Sequence, residues 1–208
     1  MLYSFIDYSN ESKRLLDLLD YLKANNADMS KIRISHNFYP KVYTGLSFED
    51  VKKKNDIFHS YGLNVSVYIP SQVNHRPPMY EGLPTIEDQR YNDLTATLSE
   101  LVLVGADMVE FGDAFVSDEE LDEAINYNYE VLPIPVKLYK ELDENELALI
   151  NRVHTNRLDA TPYMLRSSIR GNDIKPFNCV ERNLGDLTMD NDNNKRYCGE
   201  VCVALKHM

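Results

Sequence analysis

Glu81 stands in the stretch "RPPMYEGLPTIEDQR", between Tyr80 and Gly82 and shortly before Pro84. It follows the apolar run "LNVSVYIP", so an acid sits in a stiff loop just after a buried strand. A rigid loop holds a carboxyl in place at low entropic cost, as proton transfer requires. Asp113 repeats the arrangement after "ADMVEFG", at the end of another strand. Glu110 lies three residues earlier, inside that strand and on the same side as Gly112. The plainer roles remain open: Glu81 binding backbone amides, Asp113 closing a turn. His75 and Arg76 are the cations nearest Glu81 in sequence, and an arginine fork grips an oxyanion in two places or pairs with a loop acid. His36, Asn37 and Tyr39 end a third apolar run, "KIRIS". Neighbouring strand residues face opposite sides, so His36 and Asn37 share one face only if the strand breaks, and Tyr39-Pro40 signals a break.

Strand–helix alternation positions these residues. "LYSFID" is followed by a leucine-spaced helix with Ser9 or Asn10 as cap. "KIRISHNF" leads to "LSFEDVKKKNDIFHSYG", capped by Ser47 and stopped at Gly62. "LNVSVYIP" leads through the Glu81 loop to a helix expected to start at Thr85, and "ADMVEF" leads to a helix capped by Ser117. Four β/α units in succession predict parallel strands with helices outside, in an open doubly wound sheet or a TIM barrel. No GxGxxG follows any strand, which weighs against a dinucleotide-binding sheet. The polar residues gather at the strands' C-terminal ends, the active face in either architecture. After Pro133 and Pro135 the alternation stops. The sequence predicts a β/α domain over 1–132 and a β-rich domain over 133–208, with two strands around the turn "DNDNNKRY".

Bulk properties limit the function. The net charge of −11 over 208 residues argues against general nucleic-acid or anionic-membrane binding, while leaving room for a local cationic pocket. The three cysteines, Cys179, Cys198 and Cys202, read as free structural thiols of a reducing compartment. No ligand spacing points to a metal, and the Asp190–Asp192 run lacks the glycine and terminal glutamate of a calcium loop. No apolar run is long enough to span a membrane. A cytoplasmic protein without a cofactor is expected.

The motifs "SHNFYPKVYTGLS", "YIPSQVNHRPPMYEGLPTIEDQR" and "EFGDAF", in that order, closely resemble the MupG family of bacterial 6-phospho-N-acetylmuramidases. "HTNRLDATPYMLRSS" and "GDLTMDNDNNKRYCGEVCVALK" resemble that family's C-terminal cyclophilin-like domain. The resemblance implies a TIM-type barrel, here a four-unit half, followed by a shortened cyclophilin-like domain. It implies cytoplasmic hydrolysis of a 6-phosphorylated MurNAc–GlcNAc disaccharide in peptidoglycan recycling, with Glu81 and Asp113 as the catalytic pair. His36, Asn37, Tyr39 and Arg76 would then contact substrate, and Asn156, Arg157 and Arg166 would close over the phosphate or serve an ordinary interdomain contact. A half barrel is expected to self-associate or to pair with a complementary half. The alternative is a non-catalytic fragment that binds sugar phosphate or only pairs with another chain.

Overall fold

The computed structural model describes residues 12–159 and 161–208. The first expected strand, "LYSFID", and the Ser9 and Asn10 caps lie outside the described residues. The chain divides into two compact units, Met1–Ile134 and Pro135–Met208.

In the first unit, helix α1 (Ser12–Ala24) precedes strand β1 (Arg33–Ser35). Helix α2 (Phe48–Ser60) precedes β2 (Asn64–Ile69), and α3 (Leu94–Leu103) precedes β3 (Met108–Phe111) and α4 (Asp118–Asn126). The strands form one parallel sheet in the order β1-β2-β3, with Ile34 opposite Val65 and Tyr68 opposite Glu110. Alternation along β2 decides the layering. Val65, Val67 and Ile69 are fully buried and pack in two apolar clusters, one with Phe58, Leu15 and Leu19, the other with Val51, Leu98 and Leu101. Ser66 and Tyr68 therefore occupy the opposite face.

Local signals set the helix ends. The Ser47 hydroxyl accepts the Asp50 N–H, and Ser117 with Glu120 forms a reciprocal capping box. Gly62, at φ +75°, turns the chain out of α2 in the left-handed region where a side chain would be strained. The third helix departs from expectation: it starts at Leu94 with Asp93 as cap, and Thr85 caps nothing. The Thr85 hydroxyl accepts the Tyr68 N–H at 3.0 Å and donates to the Asn37 carbonyl at 2.9 Å, while Leu46 and Ile86 form a parallel bridge. Residues 85–86 are thus committed to extended pairing, and a 3-10 turn over Glu87–Tyr91 intervenes before the helix.

His36 follows Ile34 to the helix side of the sheet. It is 5% exposed, and its Nε2 lies 2.7 Å from Asn55 Oδ1 on α2. The Asn55 amide donates in turn to the Val104 carbonyl at 2.9 Å. Burial pulls the His36 pKa below its ordinary value, with the Asn55 bond opposing and Lys54 adding to the shift.

The second unit contains α5 (Glu144–Ile150), capped by Asp143 in a box with Glu146, and strands β4 (Met164–Arg166), β5 (Leu187–Met189) and β6 (Val201–Ala204). The strands pair antiparallel in the order β4-β6-β5. The Asn/Asp-rich turn is a 3-10 segment, Asp192–Tyr197. Cys198 and Cys202 are buried and Cys179 is exposed, all as free thiols.

Candidate functional site

The face of the parallel sheet turned away from the helices carries polar and aromatic side chains. Ser35, Tyr68 and Glu110 come from β1, β2 and β3 and share this face, with Tyr68 directly opposite Glu110 in register. Burial raises the Tyr68 pKa first, the Glu110 carboxylate adds to it, and Ser35 opposes. Beyond the end of β1, the Phe38 ring meets Tyr68 edge to face, with centroids 5.2 Å apart. The Arg76 guanidinium lies 5.5 Å from the Phe38 centroid. A line of contacts therefore joins Glu110, Tyr68, Phe38 and Arg76, from the sheet to the loop after β2.

Two buried carboxylates shape that loop. Asp113 is 6% exposed; its Oδ2 accepts the Ser71 N–H at 3.0 Å and its Oδ1 accepts the Arg76 N–H at 2.7 Å. Glu120 accepts the Ser71 hydroxyl at 3.0 Å, the Ser117 N–H at 2.9 Å and the Gln72 N–H. Burial pulls the Glu120 carboxyl up, but these backbone and hydroxyl donors together hold it below its ordinary value. His75 lies between the Ser71 and Tyr80 carbonyls, at 2.9 and 3.0 Å. The Pro77–Pro78 peptide is cis.

A buried arginine fastens the far end of the loop. Arg90 is 2% exposed. Its Nη1 donates to the carbonyls of Glu81 and Gly82, and its Nη2 to those of Tyr39 and Lys41. Its Nε and Nη2 also grip Glu87, each at 2.8 Å. Glu87 accepts the N–H groups of Tyr43 and Gly45, both at 2.7 Å. The Arg90 bonds dominate the fall of the Glu87 pKa to about 2. Gly45 is required for this approach, since a Cβ there would lie 2.6 Å from Glu87 Oε2. The Glu81 carboxylate itself accepts the Tyr91 hydroxyl at 2.7 Å, which pushes the Tyr91 phenol up.

The structure thus brings Glu81, Arg76, Tyr39 and Asn37 into neighbouring, mutually bonded loops. Tyr39 N–H donates to the Pro84 carbonyl, and Asn37 is exposed, with its Oδ1 on the Phe38 N–H. Asp113 belongs to the same loops but has both oxygens occupied by backbone amides. His36 is turned away to α2, because it shares the parity of Ile34. In the second unit, Asn156 Oδ1 accepts the Arg166 N–H, Arg157 forks onto Asp159, and Arg166 bonds Glu200. Sequence reasoning missed Tyr68, Glu87, Arg90 and Glu120. The parity of β2 signals Tyr68, and the i,i+3 spacing of Glu87 and Arg90 signals their pair. Among the described residues, no group of three or more His, Cys, Asp or Glu could hold a metal ion, and no helix is long and apolar enough to cross a membrane.

Sequence models of 6-phospho-N-acetylmuramidase match the chain twice, the N-terminal model over residues 6–126 and the C-terminal model over 132–208. No curated protein matches. An uncharacterized B. cereus protein of known crystal structure is 28% identical, with a TM-score of 0.76 over 91% of this chain and 57% of its own. A conserved Enterococcus faecalis protein with an unknown function is 30% identical, with a TM-score of 0.61 over 93% of this chain and 54% of its own. The chain therefore spans little more than half the length of these two structures.

Proposed function

The chain belongs to the 6-phospho-N-acetylmuramidase family, and from that premise we propose that it takes part in hydrolysing the glycosidic bond of a 6-phosphorylated MurNAc–GlcNAc disaccharide during cytoplasmic peptidoglycan recycling. The observation that carries this reading is the contact line from Glu110 through Tyr68 and Phe38 to Arg76, at the C-terminal ends of parallel strands. It sets one carboxyl at the catalytic face near an exposed guanidinium, an acid for the glycosidic bond and a cation for the phosphate.

Cleaving the bond requires a proton for the leaving oxygen and a carboxylate to activate water or attack the sugar. Glu110 and Glu81 take these roles. Glu81 accepts the Tyr91 hydroxyl, and Glu110 stands opposite Tyr68 in the β2–β3 pairing, so each carboxyl has a phenol beside it. Arg76 receives the 6-phosphate. Asp113 is a positioning residue that fixes Arg76 through its backbone. We further propose that the sheet is one arc of a TIM-type barrel. Met108, Val109, Glu110 and Phe111 are only half-buried, and β3 has no strand partner on its far side among the described residues. A second copy or a complementary half would cover that edge.

The test is turnover of MurNAc–GlcNAc with and without the 6-phosphate, by the chain alone and mixed with a barrel half from a longer relative. Cleavage restricted to the phosphorylated sugar supports the reading, and equal turnover of both sinks it. Saturable binding of the phosphorylated disaccharide without cleavage, alone or mixed, would favour a non-catalytic binding role.

A further inference from the structure

The second unit contains a concentration of cations, of which the sequence alone pointed only to Arg166. Arg166 ends β4, opposite Cys202 of β6. Glu200, just before β6, is fully buried and accepts Arg166 Nε at 2.7 Å through Oε1. Its Oε2 has no hydrogen-bond partner, and the Arg170 Nε stops 3.6 Å from it. Around the half-buried Tyr197 ring stand three guanidiniums: Arg170 at 4.8 Å, Arg196 at 4.9 Å and Arg166 at 5.9 Å from the centroid. Arg196 also donates to the Tyr197 hydroxyl at 2.7 Å.

Packing alone does not account for this grouping. One ring attracts a cation by an amount that three mutually repelling guanidiniums exceed when brought to the same site. The nearby acids are largely engaged. Asp159 takes the Arg157 fork and a 3.7 Å approach from Arg166, while Asp190 lies within the fields of Arg166 and Arg182. Among the described residues, Arg196 has no ion pair, and Arg170 has only its approach to Glu200. Both are exposed. The pull of the three guanidiniums, led by the Arg196 hydrogen bond, lowers the Tyr197 phenol.

We propose that Arg166, Arg170 and Arg196 form an anion site around Tyr197 that takes a phosphate monoester dianion. Glu200 fixes Arg166 from beneath, a buried support that keeps one fork in place before the ligand arrives. Arg170 and Arg196 supply the mobile forks, and Tyr197 offers a hydroxyl to a phosphate oxygen. With Asp159 and Glu200 neutralising Arg157 and Arg166, the two exposed arginines carry the charge that a dianion matches. This site is independent of the hydrolysis reading, because its occupancy is read without turnover.

The experiment titrates the full chain at low ionic strength with inorganic phosphate and, separately, with a hexosamine 6-phosphate, by calorimetry. Saturable binding of either is expected, weakened at least about 10-fold in R170A/R196A and unchanged in R152A, an exposed arginine outside the cluster. Tighter binding of the hexosamine 6-phosphate identifies a sugar-borne phosphate as the ligand, and equal binding identifies free phosphate. The proposal is overturned if neither titrant saturates, if R170A/R196A binds as well as the unaltered chain, or if R152A weakens binding as much as R170A/R196A does. Both substituted arginines are exposed, and a urea melt of the double variant checks that its fold is kept.

Discussion

Asp113 accepts the backbone N–H of Arg76 across 37 residues of sequence, at 2.7 Å. The contact makes a buried carboxylate responsible for where a loop cation stands. Asp113→Asn keeps one acceptor oxygen but turns an amide N–H toward a backbone N–H. The variant should lose about 1–3 kcal/mol of stability and bind phosphorylated substrate less well. Denaturant midpoints and KM measure this. Unchanged stability with a collapse of kcat alone would instead make Asp113 a proton-transfer group.

Glu110→Gln and Glu81→Gln should each lower kcat by about 10²–10⁴-fold in an active assembly, with the fold intact. Tyr68→Phe should also reduce kcat, because it removes the phenol that stands opposite Glu110 in the sheet. Arg76→Ala should mainly raise KM. Steady-state kinetics on the phosphorylated disaccharide separates these outcomes. A near-normal kcat for Glu110→Gln removes that residue from the chemistry.

Arg90→Ala should be among the most destabilising changes in the first unit, at about 3–5 kcal/mol, since it leaves Glu87 and several carbonyls unpaired. Arg90→Lys should not rescue it, because an ammonium lacks the planar fork. The Glu87 carboxyl falls from 4.5 to about 2 on folding. A depressed carboxylate pKa stabilises above the unfolded value and loses that contribution as pH falls through the folded one. Stability should therefore decline from about pH 4.5 toward pH 2, and Glu87→Gln should flatten that decline. Urea melts across the window measure both.

The His36 shift works in the opposite chemical sense. Burial favours its neutral form, so its contribution is present above the ordinary value of 6.5 and is lost as pH falls below it. Asn55→Ala removes the bond to His36 and orphans the Val104 carbonyl, and should cost about 2–3 kcal/mol. Thermal melts at stepped pH test both statements. A stability profile flat below pH 6.5 that His36→Gln leaves unchanged would contradict the first.

Features encoded within a few residues were legible in the sequence. Ser47 and Ser117 announce their helices through hydroxyls that reach only three residues ahead, and Gly62 ends its helix by its own backbone. The period of two along β3 is local in the same way: Val109 and Phe111 pack against the helix-side cluster, which leaves Glu110 on the other face. What depended on distant partners was not legible. Thr85 has the chemistry of a cap, but its hydroxyl is claimed by Tyr68 and Asn37, and the helix waits until Asp93. His36 has the position of a site residue, but the parity it shares with Ile34 delivers it to Asn55. Arg90 gives no local sign that its acceptors lie at residues 39 and 41, far back in the chain.

That last arrangement also bears on how this protein can change. One guanidinium clamps the segment after β1 and the segment bearing Glu81, and Glu87 extends the clamp to Tyr43 and Gly45. The two segments are geared together. An inserted residue near Lys41 would be transmitted to Glu81 as a displacement, and relaxing one partner would loosen both. Mutational drift across these segments should therefore be inherited in matched sets, with Gly45, Glu87 and Arg90 replaced together or not at all.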